Sequence, residues 1–343
     1  MNLFVEYHHG GLYESLRLLF EKRLGWNLFR PIGTEWQSGG YWRIAEVYGN
    51  HPSTIRQYLG IDAHSWESAP HPCKDYTLGD GIYYIYDEIS KSHHKAITLD
   101  KFKEMQFDII ISTYQPHDVP YDRLRDLFQP KAKRIAQMGN IYQTTHVPNV
   151  MCSTMPYLVE PGKNVVFYHQ EFSLDTFKYV PPVCHHAITG FVNLFPVQEL
   201  YLEYKYSMPE YIFKHYGIGG PDGVVTGYDR ISSLMAGSGF GWHIKPGGDG
   251  FGHVIHNWYA CGRPVITRYS EYVGKLASQL MTDNVTAIFI DNGTVQENCT
   301  RIRRLSEPEN HLRMCEAAHR RFTELVSFDN EAGRISEFLG RLI

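Results

Sequence analysis

Short runs of β-branched and aromatic residues alternate with helix-period segments along most of the chain, and this alternation restricts the fold more than any other feature. A strand that returns through a helix pairs in parallel with its neighbour. Residues 2–7, 107–112, 134–136, 150–152 and 164–168 read as strands in the first half. The first is followed by His8-His9-Gly10-Gly11 and then by Leu12, Leu16, Leu19 and Leu24 at helical spacing up to Gly25. A proline-rich stretch around residues 179–184 breaks this texture, after which residues 187–192, 211–213, 223–225, 241–244, 264–266 and 287–290 read as strands again. Helices are expected after Pro196, Tyr228, Gly252 and Glu271, and from Val295 to the end. The predicted organisation is two tandem parallel α/β domains, residues 1–183 and 184–325, with a C-terminal helix at 326–343 crossing back to the first. A chain of 343 residues is comfortable for two such cores.

Composition narrows the class. A hydrophobic fraction of 43% with 20% charged residues is that of a soluble globular chain. The formal net charge is −4 and neither half is basic, which argues against gripping nucleic acid mainly through phosphates. Six scattered cysteines (Cys73, Cys152, Cys184, Cys261, Cys299 and Cys315) form no C-x-x-C pair, so reduced thiols and a cytoplasmic location are expected. No apolar run is long enough to span a membrane. Adjacent histidines on a strand point to opposite faces, and Gly79-Asp80-Gly81 reads as a turn, so no metal site is expected.

The functional signal lies in residues 240–262. Residues 240–246 read as a strand ending at proline, Gly247-Gly248-Asp249-Gly250-Phe251-Gly252 as a loop, and residues 253–260 as a helix closed at Gly262. A glycine-rich loop feeding a helix presents unpaired amides backed by the positive end of the helix dipole, which suits a diphosphate. Asp249 beside such an anion suits hydroxyl groups or a cation, and sugar hydroxyls are natural partners for it.

The run from Asp249 to Ile266 resembles the nucleotide-sugar signature of GT-B glycosyltransferases. It is most similar to the retaining E-x7-E group (glycosyl transferases group 1, family 4-like), where E-G-F-G precedes a second glutamate and then A-x-G-x-P-V-I. The resemblance implies two Rossmann-like domains facing across a cleft, and a sugar passed from a nucleotide-diphosphate donor to an acceptor. It implies that Asp249 contacts hydroxyls of the transferred sugar and that Gly250, Phe251, Gly252 and His253 approach the diphosphate. Asn257 stands where the group has its second glutamate and would hold ribose without a charge. The group's arginine after the first C-terminal strand is missing here. Lys245 is the preferred substitute, with Lys205 and Arg263 as others. His169 takes the place of a sugar-side histidine, and Gly10 and Gly11, with His8 or His9, would approach donor or acceptor. No cofactor is implied beyond the donor, for which a UDP-sugar is the example. The acceptor is left open between a glycan, a lipid-linked or small molecule, and a hydroxymethylated base in viral DNA, as is the oligomeric state. A nucleotide-sugar epimerase and a non-catalytic nucleotide-sugar-binding module are the competing readings.

Overall fold

The apolar run at the N-terminus forms β1 (Asn2–Val5), and its alternation assigns two cores at once. Leu3 and Val5 belong to one buried cluster with Leu16, Ile109, Ile111 and Leu339. Phe4, pointing the other way, belongs to a second with Phe29, Phe102, Phe107, Ile110 and Tyr121. A strand buried on both faces is the mark of a parallel sheet covered by helices on each side.

The computed structural model describes residues 1–7, 9–31, 78–79, 81–87, 90–141 and 143–343. His8, Cys73 and Asp80, weighed above, lie outside them. The chain divides into unit 1, Met1–Phe172 with Phe328–Ile343, and unit 2, Ser173–Ser327. In unit 1, β1 leads to α1 (Gly10–Arg17), prolonged by a π-helical stretch at Leu18–Arg23, then to β2 (Asn27–Pro31), β3 (Leu78–Gly79), β4 (Ile82–Asp87) and β5 (Ser92–Ile97). After α2 (Leu99–Glu104) come β6 (Ile109–Ser112), α3 (Asp118–Phe128), β7 (Lys133–Met138), β8 (Asn149–Cys152) and β9 (Asn164–Phe167). Among the described residues the sheet order is β3-β4-β5-β2-β1-β6-β7-β8-β9. All neighbours are parallel except β4, which runs against β3 and β5.

Unit 2 contains β10 (Ala187–Gly190), α4 (Gln198–Ser207), β11 (Ile212–His215), α5 (Tyr228–Ala236), β12 (Phe240–Trp242), α6 (His253–Ala260), β13 (Val265–Thr267), β14 (Ala287–Phe289), α7 (Val295–Leu305) and α8 (Pro308–Leu325). Its five strands are parallel in the order β11-β10-β12-β13-β14. The buried Trp242 ring meets Tyr204 at 5.2 Å and Tyr201 at 5.8 Å, centring the core on β12. Both units are thus of the parallel α/β type expected from the alternation.

The structure departs from the sequence reading at several points, the strands β2, β4 and β5 among them, which were not expected. The division falls at Phe172, earlier than 183, because the proline-rich stretch belongs to unit 2: Arg263 donates to the Val180 carbonyl and Tyr179 stacks on His319. Residues 223–225 form no strand, since Gly223 has φ +83° and Val224 stands exposed. No α-helix follows Glu271; two 3-10 turns, Tyr269–Glu271 and Leu276–Leu280, take its place.

The last helix, α9 (Phe328–Gly340), packs in unit 1, so the chain leaves that unit after Phe172 and re-enters it at Phe328. The two crossings are fastened together there. The Phe172 and Phe328 rings meet edge to face at 5.4 Å, and Arg23 pairs with Glu171 at 2.6 Å and with Asp329. Burial pushes the Glu171 carboxyl up to about 7 from an ordinary 4.5, with Arg23 opposing and Asp329 and Glu331 adding to the rise. A raised carboxyl contributes stability that is complete below about 4.5 and lost as pH climbs towards about 7. Glu171→Gln keeps an acceptor for Arg23 but cannot ionise. The variant is therefore expected to lose part of the fall in melting temperature between those pH values, read from thermal unfolding across a pH series. An unchanged profile would show that Glu171 does not govern it.

Candidate functional site

In an open parallel sheet, ligands favour the carboxyl ends of the strands where the connections diverge to opposite sides. In unit 2 the chain passes from β10 outward to β11 and then returns to the other side of β10 with β12, so that point lies between β10 and β12. The loop following β12 there is the glycine-rich one. Gly247 and Gly248 have φ of +74° and +66°, and Gly252, at +82°, immediately precedes α6. Side chains rarely adopt such angles, so the glycines let the chain turn back into the helix in a few residues.

Asp249 is held inside this loop. His243 Nε2 lies 2.8 Å from its Oδ2, the Tyr272 hydroxyl donates to the same oxygen at 3.3 Å, and the Lys245 ammonium bonds Oδ1. Burial favours the neutral acid, but the His243 hydrogen bond and the charges of His243 and Lys245 outweigh it and hold the carboxyl well below its usual range. Tyr272 is pushed far up, by burial first and then by the Asp249 charge, and stays a hydroxyl donor. The site therefore keeps a carboxylate, partly open to solvent, at the head of a helix.

Two residues that the sequence reading missed shape the loop. Glu271 accepts from the Gly247 amide at 2.7 Å, and the buried Lys275 donates to the Glu271 carbonyl at 2.5 Å and to that of Gly247. Burial lowers the Lys275 pKa, while the charges of Glu271 and Asp249 act to raise it. Neither residue carries a motif; the turn that replaces the expected helix after Glu271 is what brings them to the loop.

The other predicted residues fall as follows. Phe251 is buried and stacked on His256 at 4.1 Å, with His253 edge-on at 4.8 Å, so its ring anchors the loop while its backbone remains beside Gly250 and Gly252. Asn257 is buried on α6, and its Oδ1 has no hydrogen-bond partner among the described residues. Arg263 is fully buried and donates to the carbonyls of Ser238, Val180, Cys261, Gly262 and Ala236, leaving no N–H for a phosphate on those faces. Lys205 occupies the last turn of α4, at the end of that helix away from the carboxyl edge of β10. His169 is in unit 1, where its Nδ1 lies 2.7 Å from Glu331 Oε1 and its amide donates to Oε2 at 2.7 Å. Gly10 and Gly11 form the first turn of α1, capped by His9, whose ring nitrogen accepts from the Leu12 amide.

The corresponding point in unit 1 lies between β1 and β6, since β2 and β6 flank β1 on opposite sides. Glu6 occupies it, fully buried. It accepts from the Thr113 amide at 2.6 Å and the Tyr114 amide at 3.1 Å, and meets His117 Nδ1. An acidic residue closing the apolar strand Asn2–Val5 was the available sign of it.

Solved structures share this two-sheet architecture. The chain superposes on HepE of Anabaena in complex with UDP and glucose with a TM-score of 0.64, at 12% identity over 99% of each chain. Sucrose-phosphate synthase from Thermosynechococcus elongatus gives 0.63 at 11% identity, covering 99% of this chain and 98% of that one. A glycosyltransferase from Rickettsia africae gives 0.60 at 13%, covering 99% and 97%. The fold is GT-B. No protein-family model and no curated protein matches the sequence. Within this GT-B chain no group of three or more His, Cys, Asp or Glu side chains among the described residues is placed to hold a metal ion. No described helix is long and apolar enough to cross a membrane.

The packing makes the loop's glycines unequal. A Cβ on Gly248 would meet Lys275 Nζ at 2.5 Å and overlap the Glu271 carbonyl, whereas Gly223, at a similar φ, has nothing within 4 Å. Gly223→Ala should cost about 1 kcal/mol, the strain of the left-handed backbone alone. Gly248→Ala should cost roughly 2 kcal/mol or more, because the Lys275 and Glu271 contacts must also yield. Urea unfolding of the two variants measures the difference, and equal costs would mean that the loop is not held as described.

Proposed function

We propose that this chain is a glycosyltransferase that takes a sugar from a nucleoside diphosphate donor and passes it to a hydroxyl-bearing acceptor, with retention of anomeric configuration. The observation that carries the reading is Asp249, a carboxylate kept ionised by His243 and Lys245 at the head of α6, where the connections of a GT-B sheet diverge. An ionised carboxylate repels the diphosphate itself but accepts strongly from sugar hydroxyls. The amides of Gly250 to His253 donate to the phosphate, and Asn257 replaces a charged ribose contact by an amide. In the reaction the bond between the anomeric carbon and the phosphate oxygen breaks, its electron pair leaving with the phosphate. The acceptor oxygen bonds to that carbon and passes its proton to the departing phosphate oxygen. Stabilising the developing phosphate charge and the cationic sugar is the demand on the site, and fixed dipoles meet it without a metal. A uridine donor is favoured because the Anabaena protein of the same fold is solved with UDP-glucose. A glycan, lipid-linked or small-molecule acceptor suits a chain whose halves are both slightly acidic better than DNA does.

Incubation with UDP-sugars and GDP-sugars, followed by detection of free nucleoside diphosphate, tests the reading. Slow release from at least one donor is expected even without acceptor. Asp249→Asn should lower that rate by about 100-fold while nucleoside diphosphate still binds. If no donor is cleaved and none raises the melting temperature, the reading is wrong.

A further inference from the structure

The cations nearest the glycine loop are already engaged: Lys245 on Asp249, and Lys275 on two carbonyls. A third cation stands at the same edge of the sheet. Arg268 directly follows β13, the strand beside β12, in the segment whose Glu271 and Lys275 are bonded to Gly247. It is half-buried, and among the described residues its side chain enters no hydrogen bond or ion pair. It lines a cavity of about 660 Å³ whose other wall is the loop after β10 and the start of α4: Phe195, Gln198, Glu199 and Leu202 among them. Cavities of this size take small molecules.

The cavity's two charges are informative together. Glu199 lines it as well, and it forms no ion pair with Arg268 or any other described cation. A cation and a carboxylate that face one cavity without satisfying each other suit a ligand bringing both an anion and hydroxyl groups. Glu199 is exposed at the head of α4 and Arg268 half-buried beside it, so a ligand with an anion for the guanidinium and a hydroxyl for the carboxylate, such as a sugar phosphate or nucleotide, can meet both.

We infer that Arg268 is the residue that binds the departing diphosphate of the donor, with Glu199 accepting from a hydroxyl of the same molecule; this rests on the donor-cleaving reading above. As the bond from the anomeric carbon to the phosphate oxygen breaks, both electrons stay on that oxygen. The Arg268 guanidinium donates N–H groups to the phosphate that carries the new charge. No proton leaves the arginine, which is charged throughout. The role differs from that of Lys245, whose ammonium holds the carboxylate that faces the sugar.

Because Arg268 bonds no described residue, Arg268→Ala is expected to fold with an unchanged melting temperature, and calorimetric titration can isolate its effect. UDP and GDP are titrated into the wild-type protein, Arg268→Ala and Arg268→Lys, with uridine and guanosine as phosphate-free probes. For whichever diphosphate binds the wild type, Arg268→Ala should weaken binding by tenfold or more, roughly the loss of one charge-assisted contact. Arg268→Lys should recover part of it, and affinity for the matching nucleoside should not change. If wild type binds a diphosphate and Arg268→Ala binds it equally well, Arg268 is not its partner, although the donor-cleaving reading stands. Equal weakening of nucleoside and diphosphate would also overturn the assignment. If wild type binds neither diphosphate, the donor-cleaving reading itself fails.

Discussion

The arrangement of unit 2 turns on a single carboxylate. Asp249 joins the end of the central strand, through His243 and Lys245, to the turn before α6, and through Tyr272 to the segment after β13. The buried His243 and Tyr272 each contribute about 1.5–3 kcal/mol as a hydrogen bond to a charged group, and the solvent-exposed Lys245 less. Removing the carboxylate would leave the buried His243 and Tyr272 facing an uncompensated gap. A loop with several left-handed glycines is otherwise among the most expensive segments to order. The ionised aspartate lets such a loop keep one conformation, so the groups that would meet a ligand are held before it arrives.

A second constraint follows from how cations are distributed. Arg263 is buried in unit 2 and spends its guanidinium on five backbone carbonyls, gathering the ends of α5 and α6 and the proline-rich stretch at Val180. Arg134 in unit 1 does similar work, donating to the Ile110 carbonyl at 2.9 Å and to Asp122 at 2.8 Å. Both lie in sequence contexts that look available for anions: Arg263 in a G-R-P turn, Arg134 closing the Lys131-Ala-Lys133-Arg134 cluster. Arginine suits this use because its donors fan out in a plane and it remains charged when buried.

How much of this was legible in the sequence depended on range. Most of the parallel strands were readable as short apolar runs, but β2 and β5 were not, since Asn27–Pro31 and Ser92–Ile97 are broken by polar and charged residues. The glycine loop and α6 were readable because punctuation and period lie within twenty residues of each other. The antiparallel β4 was not, since Ile82–Asp87 is largely tyrosine and isoleucine with no clean burial alternation. The segment after Glu271 has helical spacing at Leu276 and Leu280, yet its backbone closes in short three-residue turns, which bring the Glu271 and Lys275 side chains onto Gly247. Glu6 and His117 show the same limit more sharply. Over a hundred residues separate them, and only the pairing of β1 with β6 makes a buried acid and a buried histidine into neighbours.

The same reasoning explains why Asp249 and Asn257 do not form the acidic pair that their spacing suggests. Eight residues apart, they share the approach to α6, but Asp249 sits in the loop with its charge stabilised by two basic side chains, while Asn257 is buried within the helix. A glutamate at 257 would bring a second carboxylate into a position whose amide oxygen already lacks a partner among the described residues. Without a donor aimed at that oxygen, the charge would have to be desolvated at a cost of several kcal/mol. An amide keeps the hydrogen-bonding capacity at this point of the helix and avoids that cost, so the neutral residue at 257 is a consequence of its surroundings in α6 as well as a departure from the group's pattern.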